Sequence, residues 1–193
     1  MTAPEAAEAE LARRAADGDE AAAAALMALV RPGVVRYCRA SLGPVAGAYT
    51  TADDVSQEVC IAILRALPRY RDLGRPFSGF VYTIAARRVA DAQRAATRTR
   101  TAPASTLPER ADGAPGPEQR AVAADLARRM SRLLGYLPDT QREIIVLRVA
   151  VGLSADEVGT VLGMSAAAVR VAQSRALAKL RKLAPALLDE VPA

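Results

Sequence analysis

The chain has no histidine and no tryptophan among its 193 residues, and only two cysteines. Without histidine, the commonest general base near neutral pH and the commonest metal ligand are both missing. Cys38 and Cys60 lie far apart and form no CxxC pair, so no metal site is expected and buried, reduced thiols of a cytoplasmic protein are. No nucleophile elbow, phosphate-cradling glycine loop or carboxylate pair in an apolar pocket stands out. Asp53 and Asp54 are adjacent, but at a helix start they are better placed for capping than for catalysis. We therefore expect no enzyme, no catalytic residue and no cofactor. The N-terminus is acidic (Glu5, Glu8, Glu10) and lacks the basic-then-apolar pattern of a signal peptide. No apolar run is expected to insert into a membrane. Strand signals and internal repeats are absent, and aromatics make up only 4% of the chain, which leaves alanine and aliphatic side chains to build its core.

What is present is alanine, arginine and helical spacing. Hydrophobic residues reach 51%, much of it alanine, and this composition favours helices packed through small side chains. The expected fold is all-α, with two small helical domains. Residues 1–96 form the first, 97–117 a flexible linker and 118–193 the second. In the first, Leu11, Ala15, Leu26, Leu29 and Val30 have helical spacing around a break at Asp17-Gly18-Asp19. Arg31-Pro32-Gly33 is expected to start another helix, and Gly43-Pro44 with Gly47 to form a loop. A third helix is expected from about Asp53 to Leu67, with Val55, Val59, Ile63 and Leu67 on one apolar face and Cys60 and Leu64 beside them, and a fourth from about Phe77 to Ala96. The linker holds Pro103, Pro108, Pro115 and Pro117 with Gly113 and Gly116, a composition that cannot bury enough apolar surface to fold alone.

The second domain carries the sharpest local signal. Ser154 with Glu157 three residues on makes a capping box. Gly163 supplies a left-handed helix stop, and Ser165 caps the helix after it. Val158, Leu162 and Val169 can close a small core between the two helices, with Gly159 leaving room for a close crossing. This is the pattern of a helix-turn-helix, whose second helix lies in a DNA major groove. That helix holds Arg170, Arg175, Lys179, Arg181 and Lys182, and no acid stands between Ser165 and Pro185. The alternative is a generic helical hairpin with a solvated basic face.

Charge is distributed unevenly. The net charge is +5 and the isoelectric point about 9.7, which suits a polyanionic partner. Between Arg65 and Arg100 there are nine arginines and two acids, Asp72 and Asp91, interleaved with Tyr70, Phe77, Phe80 and Tyr82. Cations hold a backbone while aromatic faces accept unstacked bases, the combination used for single-stranded nucleic acid. The alternative is that Phe77, Phe80 and Tyr82 are simply the core face of their helix.

Together these residues resemble the bacterial extracytoplasmic-function (group four) sigma factors, the initiation subunits of RNA polymerase. Leu137-Pro138, Gln141-Arg142-Glu143, Gly152-Leu153-Ser154, Glu157-Val158, Leu162-Gly163-Met164-Ser165 and Val169-Arg170 are similar to the family's region four. Asp54-Val-Ser-Gln57-Glu58-Val59 and Arg65-Ala-Leu-Pro68-Arg69-Tyr70 are similar to region two, and Phe77 to Arg94 to its melting and recognition helix. The stretch Ala168 to Leu177 is most similar to an actinobacterial subgroup of the sigma D type. The resemblance implies core RNA polymerase, through its largest subunits, as a partner of Asp54, Gln57 and Glu58. It implies minus-ten promoter contacts for Tyr70, Arg71, Phe77, Phe80, Tyr82, Arg87, Arg88 and Arg94. It implies minus-thirty-five contacts for Ala166, Ala167, Arg170, Val171, Ser174, Arg175 and Lys179. Promoter DNA, duplex and melted, is the implied ligand, and an anti-sigma factor is a further partner implied for many members.

This chain departs from the family at several positions. Phe80 stands where a tryptophan is common, and Arg87 where an asparagine is usual. Few polar groups flank Arg170, so thymine methyls or DNA shape would carry more of the readout. The rival reading is a free-standing helix-turn-helix regulator with a helical sensor domain. The arginine-aromatic stretch and the Asp54, Gln57, Glu58 stripe argue against it.

Overall fold

The clearest helix boundaries, at α2 and α7, are set by local hydrogen bonds. In a computed structural model of the chain, residues 3–43, 52–99 and 117–188 are described. Among them the elements are α1 (Ala3–Ala16), α2 (Glu20–Leu42), α3 (Ala52–Ala66), a 3₁₀ turn (Leu67–Arg69), α4 (Phe77–Thr99), α5 (Pro117–Gly135), α6 (Asp139–Ile145), a π-helical segment (Val146–Val151), α7 (Ala155–Leu162) and α8 (Ala166–Leu188). No strand occurs among the described residues. The Asp17-Gly18-Asp19 break is present: Gly18 has φ +95°, and Asp19 caps α2 by accepting from the Ala22 amide at 2.9 Å. Arg14 also pairs with Asp19, and these two donors hold the Asp19 carboxyl below its usual range, the backbone amide first.

The expected helix start at Arg31-Pro32-Gly33 is not there. Pro32 lies inside α2, which runs through it. A proline costs a helix one hydrogen bond and a clash with the preceding turn. Here tertiary packing outweighs that cost. Leu26, Val30, Val34, Tyr37 and Cys38 bury one side of α2 on both flanks of the proline, which itself faces solvent. By length and composition α2 is also the one described helix that could cross a membrane. Its apolar side is instead occupied by α1, α3, α4 and the π-helical segment. The expected loop at Pro44 and Gly47 and most of the expected linker fall outside the described residues. α4 extends three residues past the expected Ala96, and α5 begins at Pro117.

The N-terminal helices α1–α4 enclose Ala12, Leu26, Val34, Val55, Val59, Ile63, Val81 and Ala85. The C-terminal helices enclose Ile144, Leu147, Val158, Val169 and Ala176. Two arginines tie the C-terminal turns together. Arg142 donates to the carbonyls of Leu134 and Leu137 at 3.0 and 3.2 Å, satisfying acceptors at the α5 end. Arg148 bonds the Leu153 carbonyl and Gln173 on α8. The two units meet along α2. Arg36 donates to the carbonyls of Ala150 and Val151, and the Tyr37 hydroxyl donates to Glu143 Oε1 at 2.5 Å. Gly33 lets the Tyr82 ring close against α2: a Cβ there would overlap the Tyr82 hydroxyl.

Candidate nucleic-acid and partner interfaces

The helix-turn-helix forms as its caps require. Ser154 Oγ accepts from the Glu157 amide at 3.2 Å, and Glu157 Oε2 accepts from the Ser154 amide at 2.7 Å. Gly163 ends α7 in the left-handed region, φ +67° and ψ +34°. Ser165 Oγ accepts from the Ala168 amide at 3.2 Å and starts α8. Gly159 is the crossing point of the motif: a Cβ there would stand 2.5 Å from the Met164 carbonyl oxygen. Val158 and Val169 are fully buried behind it, while Leu162 is only partly so.

This packing settles which side of α8 faces out. Ala167, Arg170, Val171, Ser174 and Arg175 are exposed, and Ala166 is half-buried at the first turn. Arg170 is held loosely, its guanidinium 4.0 Å from Asp156 in a pair that is largely in solvent. That distance and exposure leave it able to turn to another acceptor. Lys179 is different: its ammonium donates to the Tyr136 carbonyl at 2.6 Å, so it braces the turn between α5 and α6.

On the N-terminal unit the aromatic stretch divides in two. Phe77 and Tyr82 are buried, at 3% and 5% exposure. Tyr82 packs edge-on against Tyr37, with ring centroids 5.5 Å apart. Burial pushes its phenol well above the ordinary range, so it stays neutral. Phe77 sits under Tyr70 and Phe80, 5.2 and 5.4 Å between centroids. For these two rings the core-face alternative holds: they support the site and do not present a face to a base. Tyr70 is largely buried too, its phenol raised by burial and by Asp72. Phe80 is the half-exposed member of the cluster.

Around Phe80 lies a cleft of about 360 Å³ lined by Arg69, Tyr70, Arg71, Arg75 and Thr83, with Thr160 of α7 closing one side. Of the expected residues, Tyr70, Arg71 and Phe80 are gathered at this one concave place, with Arg71 the one expected charge among them. Arg87, Arg88 and Arg94 continue along the exposed side of α4, Arg94 paired with Asp91. Such a groove can hold a phosphate backbone and offer a ring for stacking. Arg69, Arg75 and Thr83 had not been expected as site residues. Arg69 and Arg75 lie within the arginine-rich stretch, and Thr83 gave no signal of its own.

On α3, Asp54, Gln57 and Glu58 are all exposed. Their neighbour Asp53 is not part of that stripe, since Arg39 grips both its oxygens at 2.8 and 3.0 Å. The stripe continues into two exposed apolar residues, Ile61 and Leu64, at 48% and 43% exposure. A polar stripe running into exposed large aliphatics on one helix face is the composition of a protein-binding surface. Sequence reasoning gave Ile61 no role and set Leu64 beside the apolar face; Leu64 instead turns outward, although spacing from Gln57 and Glu58 by three, four and seven residues could have found both. A second apolar patch, Met130 and Val149, flanks a groove of about 430 Å³ between α2, α5 and the π-helical segment.

Comparison with known proteins gives the same two-part division. Residues 26–99 match the family described as Sigma-70 region 2, and residues 133–182 the family described as Sigma-70, region 4. The chain is 56% identical to the ECF RNA polymerase sigma factor SigD of Mycobacterium tuberculosis over 164 residues, 85% of this chain and 77% of that protein. It is 52% identical to the ECF RNA polymerase sigma factor ShbA of Streptomyces griseus over 178 residues, 90% of this chain and 93% of that one. Among solved structures, CnrH in complex with the cytosolic domain of CnrY is similar with a TM-score of 0.70 and 30% identity, covering 93% of this chain and 98% of that chain.

Proposed function

This chain belongs to the extracytoplasmic-function sigma factors of the sigma-70 family, and from that premise we propose how its two helical units divide the work of promoter-directed initiation by RNA polymerase. Residues 1–96 engage core polymerase and the minus-ten element, and residues 118–193 the minus-thirty-five element. The observation that carries the reading is the pairing of a capped helix-turn-helix, basic face outward, with a separate arginine-lined aromatic cleft on the other unit.

On this reading α8 enters the major groove. Arg170 is the side chain able to read a guanine bidentately; Ala166, Ala167 and Val171 contact methyl groups, and Ser174 and Arg175 the adjoining edges and phosphates. Lys179 contributes charge near the backbone while bracing its turn. In the cleft, a base extruded from the minus-ten element stacks on Phe80 and hydrogen-bonds near Tyr70 and Arg71, while Arg87, Arg88 and Arg94 hold the separated strand. Extrusion costs a few kcal/mol, which the cleft contacts offset. Phe77 and Tyr82 act through packing alone. The face Asp54, Gln57, Glu58, Ile61 and Leu64 docks on core polymerase, with charge-assisted bonds outside and aliphatic contact inside. By likeness to CnrH, solved with the cytosolic domain of CnrY, we extend to this chain a regulatory protein partner of the anti-sigma kind. The chain works in the cytoplasm, with no catalytic chemistry of its own.

The test is transcription in vitro with Streptomyces core polymerase, fragmented genomic DNA and mapped RNA ends. Discrete new starts sharing two upstream elements are expected. Specific duplex binding by the chain alone, with no initiation, would instead establish a free-standing regulator.

A further inference from the structure

The aromatic cleft has an apolar edge besides its charged and aromatic walls. Leu73 lines it and is 76% exposed, more than any other large hydrophobic side chain among the described residues. A single exposed leucine in a loop is ordinary. This one differs in how it is held. Asp72 Oδ1 accepts from the Gly74 amide at 2.9 Å, which closes a turn with Leu73 at its centre. Gly74 completes the turn at φ +70°, in the left-handed region. The second carboxylate oxygen, Oδ2, stands 3.6 Å from Arg13 Nε, so α1 ties the turn to the body of the unit. Asp72 is one of two acids set among nine arginines between Arg65 and Arg100. A negative charge in such a stretch opposes a phosphate backbone, and its two partners give it another use, that of fixing the loop tip. Arg71 and Arg75 flank the tip, both exposed and both lining the cleft. Phe80 is not free to do the same work, because its ring is engaged with Tyr70 and Phe77, 5.2 and 5.4 Å between centroids.

We propose that Leu73 is a duplex-opening wedge, presented by the Asp72 turn and inserted into the base stack beside the base that the cleft receives. The proposal rests on the assignment of the cleft to an extruded minus-ten base. Apolar side chains that enter a base step unstack it and hold it open. Extrusion of one base leaves a gap in the stack. Leu73 fills the gap, Arg71 and Arg75 neutralise the phosphates on either side, and Phe80 takes the base inside the cleft. An isobutyl group forms no hydrogen bond, so the wedge acts on any sequence and leaves base readout to the cleft. Insertion also removes from water the apolar surface that the free chain exposes. Asp72 is a positioning residue in this scheme, and Arg13 steadies it from α1.

The test compares one promoter in two forms, a full duplex and a duplex with an unpaired bubble across the minus-ten element, each with holoenzyme built from the full chain. The bubble supplies the opening in advance, so only the full duplex calls on a wedge. Leu73→Ala is expected to reduce transcript from the duplex about tenfold and from the bubble by less than about twofold, while Leu73→Met stays near the parent on both. A fluorescent purine analogue in the minus-ten element of the duplex should brighten correspondingly more slowly with the alanine variant. Asp72→Ala should show the same split. Asp72→Asn, which also lacks the charge but keeps a carbonyl acceptor for the Gly74 amide, should not. Equal losses on the two templates would place Leu73 against the open strand or polymerase, and undiminished opening of the duplex would leave it without a part in melting; either result overturns the wedge. A parent chain that initiates on neither template counts against the sigma reading instead.

Discussion

Replacing Gly159 by alanine tests whether the helix-turn-helix crosses as closely as its packing requires. Two effects of opposite sign compete. In the middle of a helix, Gly→Ala ordinarily stabilises by about 1 kcal/mol through propensity. Here the new Cβ would stand 2.5 Å from the Met164 carbonyl oxygen. An ordinary carbon contact is about 3.5 Å, so the turn must move by about 1 Å. The obstructing atom is backbone and cannot rotate away. That backbone is also pinned, because the Met164 amide donates to the Gly159 carbonyl at 2.9 Å. Overpacking of this kind costs about 1–3 kcal/mol and outweighs the propensity gain in all but the mildest case. We expect a net loss of about 1–2 kcal/mol, which lowers the urea midpoint by about 0.5–1 M at a slope of about 2 kcal/mol/M. Gly163→Ala separates strain from clash, because Gly163 has φ +67° and open space around it. That variant should lose about 1 kcal/mol from the left-handed backbone alone and leave the crossing angle intact. Gly159→Ala should therefore weaken minus-thirty-five binding by holoenzyme more than Gly163→Ala does at equal stability. An unchanged or raised urea midpoint for Gly159→Ala would refute the close crossing.

Four further outcomes are expected. Arg170→Ala should lose about 1–3 kcal/mol of discrimination at a single base position, measured by holoenzyme competition among duplexes with single changes; an unchanged preference would contradict the register of α8. Alanine at both Gln57 and Glu58, each exposed, should leave the unfolding midpoint within about 0.5 kcal/mol yet reduce co-purification with core polymerase. Burial raises the Cys38 thiol to about 12, so at pH 8 it should resist iodoacetamide until the chain is unfolded, whereas half-buried Cys60 should label earlier. Burial also raises the Glu143 carboxyl above its ordinary value, against the opposing pull of Tyr37 and Arg142. The folded state then holds that proton to higher pH than the unfolded chain does. Its contribution is greatest below the ordinary glutamate range and declines as pH rises through the raised value. Glu143→Gln, permanently neutral, should therefore gain stability relative to the parent between pH 4.5 and 7, and a constant difference across that span would exclude the effect.

How much of the structure was legible in the sequence follows the range of the interactions. Ser154, Glu157, Gly163 and Ser165 act on groups within three or four residues, so their residue types alone foretell the caps that form. Asp19 belongs to the same class, being visible as part of a break. Pro32 is the opposite case. Its local rule is sound, but the burial of α2 on both sides of it decides the outcome, and that burial comes from α1, α3 and α4. The π-helical segment Val146–Val151 escaped for a related reason: the extra residue in its turn is absorbed at Gly152, φ +96°, and no residue type announces it.

The site shows the same gradient. Exposed polar and charged residues on a periodic helix face, such as Asp54, Gln57, Glu58 and Arg170, could be placed from spacing, because a helix has only so many ways to turn them outward. The aromatic residues could not, since Phe77, Phe80 and Tyr82 share one helix and similar composition, and only their neighbours separate them. Tyr82 is claimed by Tyr37 on α2, and Phe77 by Tyr70 from the segment before α4, which leaves Phe80 at the cleft. Least legible of all was the meeting of the units. Tyr37 and Glu143 are separated by 106 residues, and each taken alone reads as an ordinary core tyrosine and an ordinary helix carboxylate. Their hydrogen bond depends on α2 and α6 being brought side by side by the packing of the whole chain, which no local residue pattern announces. Local signals therefore specify each unit, and only the folded chain shows where the two meet.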